Sequence, residues 1–326
     1  MVFLASAVSV WFLGVGLAKY GDALASLTGL GRMFVGSILV ALATSLPELS
    51  TIISAVRLDP PNPQLAVGNV LGANMLDVFI FAMVALVFGG RSFLRQISPR
   101  QGYLIVLAAA MTGGAVLLGA IKLDFSLWRV GLSSLILLVI YGVGMWVVFQ
   151  NRSSGGADQE GAESGEHLSL TRAWIMFGLV SVGVIIAGIA LAWSTDRVAD
   201  ITGVASSTLG ILAVSLVTTL PELSSTVAAA RMGAADLGVA GLFGSAVFNA
   251  SILVYADPFY RGGVLINQAE TAHIIAGCVA FALILAALAL VMGRNRISIL
   301  VARGGLVLMA VAWLAAAVVV GTLGAV

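Results

Sequence analysis

Apolar stretches follow one another along almost the whole chain, broken only by short clusters of Gly, Pro and charged residues. A transmembrane helix needs about 20 mostly apolar residues to cross a hydrocarbon core of roughly 30 Å. On that measure the sequence predicts ten spans, at residues 2–19, 31–57, 65–89, 101–120, 127–150, 172–194, 205–231, 236–256, 270–292 and 298–324. The runs are continuously apolar and do not alternate with polar residues, so they read as helices and not as barrel strands. The expected fold class is an all-α membrane protein. One segment, NRSSGGADQEGAESGEHLSL at 151–170, is rich in Gly, Ser and acidic residues and reads as a flexible linker. It sets a first half at 1–150, a linker at 151–171 and a second half at 172–326.

Five spans per half place the halves in opposite orientations, so homology between them makes an inverted repeat. Residues 36–57, GSILVALATSLPELSTIISAVR, laid over 210–231, GILAVSLVTTLPELSSTVAAAR, give eleven identities in 22 positions at a constant offset of 174. Upstream, the same offset lays Leu17, Ala18, Asp22, Thr28 and Gly29 over Leu191, Ala192, Asp196, Thr202 and Gly203. Downstream, the first half carries the extra turn DPPNP (59–63), and GANMLD (72–77) then falls on GSAVFN (244–249). The duplicated regions run over about 36–89 and 210–256, each a helix, a turn and a second helix.

Composition strengthens the membrane reading. The chain is 60% hydrophobic and 10% charged, with mean hydropathy +1.09, where a soluble domain carries roughly a quarter charged residues. A net charge of +1 without a basic block gives no footprint for nucleic acid. The single cysteine, Cys278, excludes an intrachain disulfide and reads as a lipid- or helix-facing residue. The first apolar stretch lacks a preceding basic residue and a small-residue cleavage site, and is expected to stay as a span. With the N-terminus outside, the inner face receives Lys19, Arg32, Arg91, Arg95, Arg100, Arg152, Arg172, Arg231, Arg294, Arg296 and Arg303, against Arg57, Lys122, Arg129, Arg197 and Arg261 outside. The positive-inside bias therefore expects both termini outside and a cytoplasmic linker, in the cell membrane. The six tryptophans are expected mostly near span ends.

The apolar pattern does not explain TSLPELS (44–50) or its counterpart TTLPELS (218–224). An ionisable group at mid-bilayer costs about 2.5–3.5 kcal/mol on insertion scales, so Glu48 and Glu222 are expected to face a cavity or partner. Helical spacing puts Ala41, Thr44, Ser45, Glu48 and Thr51 on one stripe, and Ser215, Thr218, Thr219, Glu222 and Thr226 on another. Pro47 and Pro221 lack an N–H and crowd the carbonyls of Ala43 and Val217, which loosens the helices near Thr44 and Thr218. The third and eighth spans add Asn69, Ala73 and Asp77, and Gly241, Ser245 and Asn249. Asn69 and Asn74 equally suit interhelical hydrogen bonding, and Asp22, Asp196 and His273 are expected at helix ends or interfaces. Together the stripes offer carboxylates, amides, hydroxyls and carbonyls without His, Cys or Met, a donor set for hard cations. Two bidentate glutamates and two carbonyls make six oxygens, which suits Ca²⁺ better than the stricter octahedron of Mg²⁺.

The paired TSLPEL and TTLPEL segments, each followed by a Gly-rich helix (GNVLGANMLD, GLFGSAVFN), resemble the alpha repeats of the Ca²⁺/cation antiporter superfamily, most closely its Na⁺/Ca²⁺ exchanger branch. The resemblance implies exchange of Ca²⁺ for Na⁺ by alternating access, with no cofactor, no enzymatic activity, and a monomer in the bilayer. It implies that Glu48 and Glu222 bind Ca²⁺ with Thr44 and Thr218. It also implies that Ser45, Thr219 and Ser245, with Ala41 and Ser215, form flanking Na⁺ sites, partly through carbonyls. Asp77 and Asn249 would orient the glutamates or take water and protons, with Asn69 in support, while the first and sixth spans slide past the other helices. Two departures bear on the coupling ion: Ala73 stands where the family has a serine, and Asp77 and Asn249 reverse the usual Asn-first order. Ca²⁺/H⁺ exchange is the alternative within the superfamily, and K⁺ coupling also stays open. A ten-helix metabolite exporter would call for a duplicated apolar pocket, which is not evident. No Ser/His, zinc-ligand or paired-Asp set supports an intramembrane enzyme.

Overall fold

The computed structural model describes residues 2–57, 59–151, 168–202 and 208–323. Residues 152–167 with Arg152 and His167, Gly203, and the side chains of Leu191, Ala192, Trp193, Asp196, Arg197 and Thr202 lie outside the described residues. The apolar runs form helices α1 (Val2–Thr28), α2 (Arg32–Arg57), α3 (Pro63–Val87), α4 (Gln101–Ile121) and α5 (Leu132–Gln150). In the second half follow α6 (Leu170–Thr202), α7 (Gly210–Thr218 and Leu220–Arg231), α8 (Ala235–Ala256), α9 (Thr271–Gly293) and α10 (Ile299–Leu323). Among the described residues nine are single helices able to cross a membrane, and α7 is a tenth when its two segments, bent by 48°, count as one span.

Three local features depart from the sequence expectation. Helix α1 continues to Thr28 because Asp22 is not a solvated end: Arg32 Nε lies 2.5 Å from Asp22 Oδ1, and both side chains are 15% exposed. Helix α5 starts late because residues 126–131 form a hairpin, Ser126 opposite Gly131 and Leu127 opposite Val130. Third, Val35–Val40 of α2 and Leu209–Val214 of α7 are wound as π-helix. These two segments are related by the 174-residue offset of the repeat. Such windings are rare and concentrate at functional sites.

The halves are interleaved. Helix α2 packs on α8 and α7 packs on α3, each crossing the repeat boundary, while α1 lies along α6. Every main contact recurs in its repeat-related form: α3 with α9 and α8 with α4, α3 with α10 and α8 with α5. Helices α3 and α8 are apolar nearly all round and almost wholly buried, as such helices must be at the centre of a bundle. The α2–α8 and α7–α3 crossings are made at backbone level. A Cβ on Gly36 would lie 2.6 Å from the Leu237 carbonyl oxygen, and one on Gly210 2.6 Å from that of Leu65. Leu65 and Leu237 are themselves repeat-related at the 172-residue offset that joins α3 to α8.

Loops sort to two faces. On one, Ser98 N–H donates to Asp236 Oδ1 at 2.7 Å, and the Arg91 side chain donates to the carbonyls of Arg294 and Asn295. On the other, buried Asp257 accepts from Gly131 N–H at 2.5 Å, Ser134 Oγ at 2.9 Å and Leu265 N–H at 2.7 Å. That carboxylate binds the 126–131 hairpin to the loop after α8.

Gly244→Val is expected to destabilise the protein by about 1–3 kcal/mol, since its Cβ would sit 2.7 Å from the Ser37 backbone. Gly142→Ala, with open space around the position, should be neutral or stabilising by up to about 1 kcal/mol. Thermal unfolding in detergent measures both, and equal midpoints would refute backbone-level packing at the α2–α8 crossing.

Candidate functional site

Helices α2, α3, α7 and α8 enclose one polar chamber. Glu48, Ser45 and Thr44 come from α2, Glu222, Thr218, Thr219 and Ser215 from α7, Asn69 and Asp77 from α3, and Ser245 and Asn249 from α8; each is at most 2% exposed. Ala41, Pro47 and Pro221 are also buried. These residues therefore lie in the interior, whereas Thr51 of the same α2 stripe is only half-buried, and hydrogen bonds join a subset of them directly.

Glu222 sits in a hydroxyl cage drawn from both halves. Ser245 Oγ donates to Glu222 Oε1 at 3.0 Å and Ser45 Oγ does so at 3.3 Å. The two serine oxygens are 2.6 Å apart, and Asn249 Nδ2 reaches Ser245 Oγ at 3.5 Å. The other half does not repeat this cage. Ala73 takes the place of Ser245, and the Thr219 hydroxyl, which corresponds to Ser45, donates to the Ser215 carbonyl of its own helix at 2.6 Å. The Thr218 hydroxyl approaches Glu48 as Thr44 approaches Glu222, yet neither Glu48 oxygen accepts a hydrogen bond of ordinary geometry. Thr218 Oγ1 donates instead to Asn69 Oδ1 at 3.2 Å. Thr44 Oγ1 donates to the Ala41 carbonyl at 3.2 Å, and Ser215 Oγ donates to the Ile211 carbonyl inside the π segment.

The electrostatics point one way. Both oxygens of Glu48, both of Asp77 and Oε2 of Glu222 are buried without a hydrogen-bond partner, and Glu48 lies within electrostatic reach of Glu222 and Asp77. A buried carboxylate left unpaired costs several kcal/mol, and a cation or proton is what relieves it. Among the described residues no three His, Cys, Asp or Glu side chains cluster closely enough to hold a metal by themselves. A cation here would draw its remaining oxygens from hydroxyls, amides and carbonyls.

The prolines act unequally. Helix α2 runs through Pro47 without a break, whereas α7 breaks at Thr219, two residues before Pro221, where ψ swings to 3°. The carbonyls of Ala43 and Val217 lose their i+4 donor in both cases. The π segments were not expected from sequence; the repeated glycines 36 and 210 were their only trace.

Other polar residues serve the frame. Asn74 Nδ2 bridges Thr112 Oγ1 at 3.0 Å and the Ala246 carbonyl at 3.1 Å. His273, in the first turn of α9, is buried: its Nδ1 accepts from Glu270 N–H at 2.8 Å, and Nε2 lies 2.9 Å from the Gln64 carbonyl, which caps α9 against α3. Trp313 lies mid-helix and stacks on Phe79 with ring centroids 4.4 Å apart.

A sequence model of the family described as sodium/calcium exchanger protein matches residues 1–150 and 172–322. Among curated relatives, the inner membrane protein YrbG of Escherichia coli (strain K12) is 24% identical over 226 residues, 69% of each chain. A Methanocaldococcus jannaschii protein, "Uncharacterized membrane protein MJ0091", is 22% identical over 250 residues, 73% of this chain and 76% of its own. Two solved structures of the sodium-calcium exchanger NCX_Mj superpose on 97% of this chain and 96% of theirs. One, soaked with 2.5 mM Na⁺ and 0.1 mM Sr²⁺, gives a TM-score of 0.70 at 18% identity. The other, soaked with 10 mM Na⁺ and zero Ca²⁺, gives 0.69 at 16%. At these identities the structural likeness is one of fold.

Asn74→Ala should lower the unfolding midpoint in detergent, by an amount corresponding to about 1 kcal/mol for an interhelical hydrogen-bond pair in a membrane. An unchanged midpoint would remove Asn74 from the frame.

Proposed function

The chain belongs to the sodium/calcium exchanger protein family, whose members are transporters and not enzymes, and on that premise we propose that it exchanges Ca²⁺ for Na⁺ across the cell membrane by alternating access. The observation that carries this reading is the pair of repeat-related glutamates, Glu48 and Glu222, in one chamber with five carboxylate oxygens lacking hydrogen-bond partners. Glu48 and Glu222 hold Ca²⁺, with Thr44 and Thr218 in support. Ser45, Ser245, Thr219, Ala41 and Ser215 furnish Na⁺ ligands by hydroxyl or carbonyl oxygen. Two like charges are compensated equally by one divalent ion or by two monovalent ones, and competition between those loads is what couples an exchange. Helices α1 and α6 are the moving pair. They face each other with Gly16 against the Val180 side chain and Gly183 against the Leu13 side chain, while Gly14 of α1 also lies close on Ser224 and the Pro221 carbonyl of α7.

The hydroxyl cage around Glu222 and its absence around Glu48 support one well-formed Na⁺ subsite and one weakened by Ala73. Asp77, a buried carboxylate without a hydrogen-bond partner, supports the second reading, Ca²⁺/H⁺ exchange. In orientation, the face carrying the hairpin is outside, the linker is cytoplasmic, and the halves divide at 1–150 and 172–326.

Radioactive Ca²⁺ uptake into proteoliposomes is expected under an outward Na⁺ gradient and not under a pH gradient alone, and Glu48→Gln or Glu222→Gln should abolish it. Uptake indifferent to both glutamates would refute the site, and uptake driven only by protons would replace Na⁺ with H⁺. In the same assay Ala73→Ser should reduce the Na⁺ concentration for half-maximal exchange, and Ser245→Ala should raise it about tenfold, as loss of one ligand worth about 1.4 kcal/mol requires. No response to either substitution would separate these positions from monovalent-ion binding.

A further inference from the structure

Helix α2 continues nine residues past Glu48 to Arg57, about 13 Å further along its axis. There a cavity of about 640 Å³ is lined by Arg57, Arg129 and Arg261, with Asp59, Pro258 and Phe259 among its other walls. The three arginines come from separate elements: the end of α2, the hairpin before α5, and the loop after α8. Among the described residues none of the three is in an ion pair. With Asp59 as the lone carboxylate of the lining, the cavity carries a net charge of about +2. Three guanidinium groups gathered without paired carboxylates repel one another, and a multivalent oxyanion is the partner that matches their planar donors.

The backbone that carries these arginines is fastened in place. Asp257, fully buried, fastens the hairpin through Gly131, and the start of α5 through Ser134, to the loop residue Leu265. Arg57 lies over the Phe259 ring, 5.8 Å from its centroid. Arg129 and its neighbour Trp128 take left-handed backbone angles, φ 67° and 50°, in a two-residue turn where Asn and Gly are the low-energy choice. Backbone strain of about 1–3 kcal/mol persists where a position serves a purpose, and here the turn aims Arg129 at the cavity. The hairpin tip also fixes the depth: Trp128 is 91% exposed, with Phe125 and Leu127 exposed beside it. Exposed tryptophan marks the headgroup layer of a bilayer, where phosphate groups are concentrated.

We propose that Arg57, Arg129 and Arg261 form a binding site for a phosphate-bearing anion on this face, with a phospholipid headgroup as the favoured source. The site is separate from the cation chamber and does not depend on which cation is exchanged there. The test uses full-length protein in detergent, its retained lipid counted by native mass spectrometry after titration with phosphatidylglycerol or phosphatidylcholine. A parallel arm follows the thermal shift produced by inorganic pyrophosphate. The triple variant Arg57→Gln/Arg129→Gln/Arg261→Gln changes only exposed side chains, and Asp59→Asn removes the opposing charge. Phosphatidylglycerol retention should fall at least about tenfold in the triple variant, from loss of several charge-assisted hydrogen bonds, and rise in Asp59→Asn. If pyrophosphate instead stabilises the wild type and not the triple variant, the same three arginines take a soluble phosphate. Equal lipid retention in all three proteins, together with no pyrophosphate shift that depends on the arginines, would overturn the proposal.

Discussion

Two carboxylates held out of water in one chamber are the condition that the rest of this structure answers. Glu48 and Glu222 are 0% and 2% exposed, and like charges confined together are tolerated only when a cation, a proton or strong donors compensate them. The frame keeps the two groups together despite that repulsion. Backbone-level crossings at Gly36 and Gly210 fix α2 on α8 and α7 on α3, so the chamber cannot relax by letting helices drift apart. The Asn74 bridge and the His273 cap add polar fastening within the same frame.

Much of this was legible in the sequence because the duplication supplied an internal control. One TSLPELS in an apolar run is an oddity, but its second copy in an inverted half singles out Glu48 and Glu222, and both are buried, although Thr51 of the first stripe is only half-buried. The ten spans and their interruptions were likewise legible from hydropathy. What was not legible depends on tertiary context. Helix α2 passes straight through Pro47, yet α7 breaks before Pro221 in a nearly identical local sequence, so the break belongs to the surroundings and not to the motif. The π windings have no side-chain pattern that distinguishes them from α-helix. Asp22 looked like a helix end because a lone charge would be; its partner Arg32 lies ten residues away, across a turn. Trp313, one of six tryptophans expected mostly near span ends, instead fills a mid-helix packing position against Phe79 of another helix.

The repeat is symmetric in backbone and asymmetric in chemistry. The π segments, the glycine crossings and the helix contacts recur in both halves, while Ala73 faces Ser245, Asp77 faces Asn249, and Asn69 faces Gly241 at corresponding positions. The structural result is one glutamate wrapped in hydroxyls and one left bare. Such a division lets a single scaffold treat its two carboxylates differently without altering any helix.

The crosswise packing of α2 on α8 and α7 on α3 has a genealogical consequence. Neither five-helix half contains a complete wall for its own glutamate, since each borrows the opposite copy's helix. A lone half would make this chamber only by meeting a second copy inserted upside down, as an antiparallel pair of identical subunits. Two copies in one polypeptide keep that geometry without having to stay alike, and the mismatched residues at 73 and 245 are a freedom that identical subunits do not have.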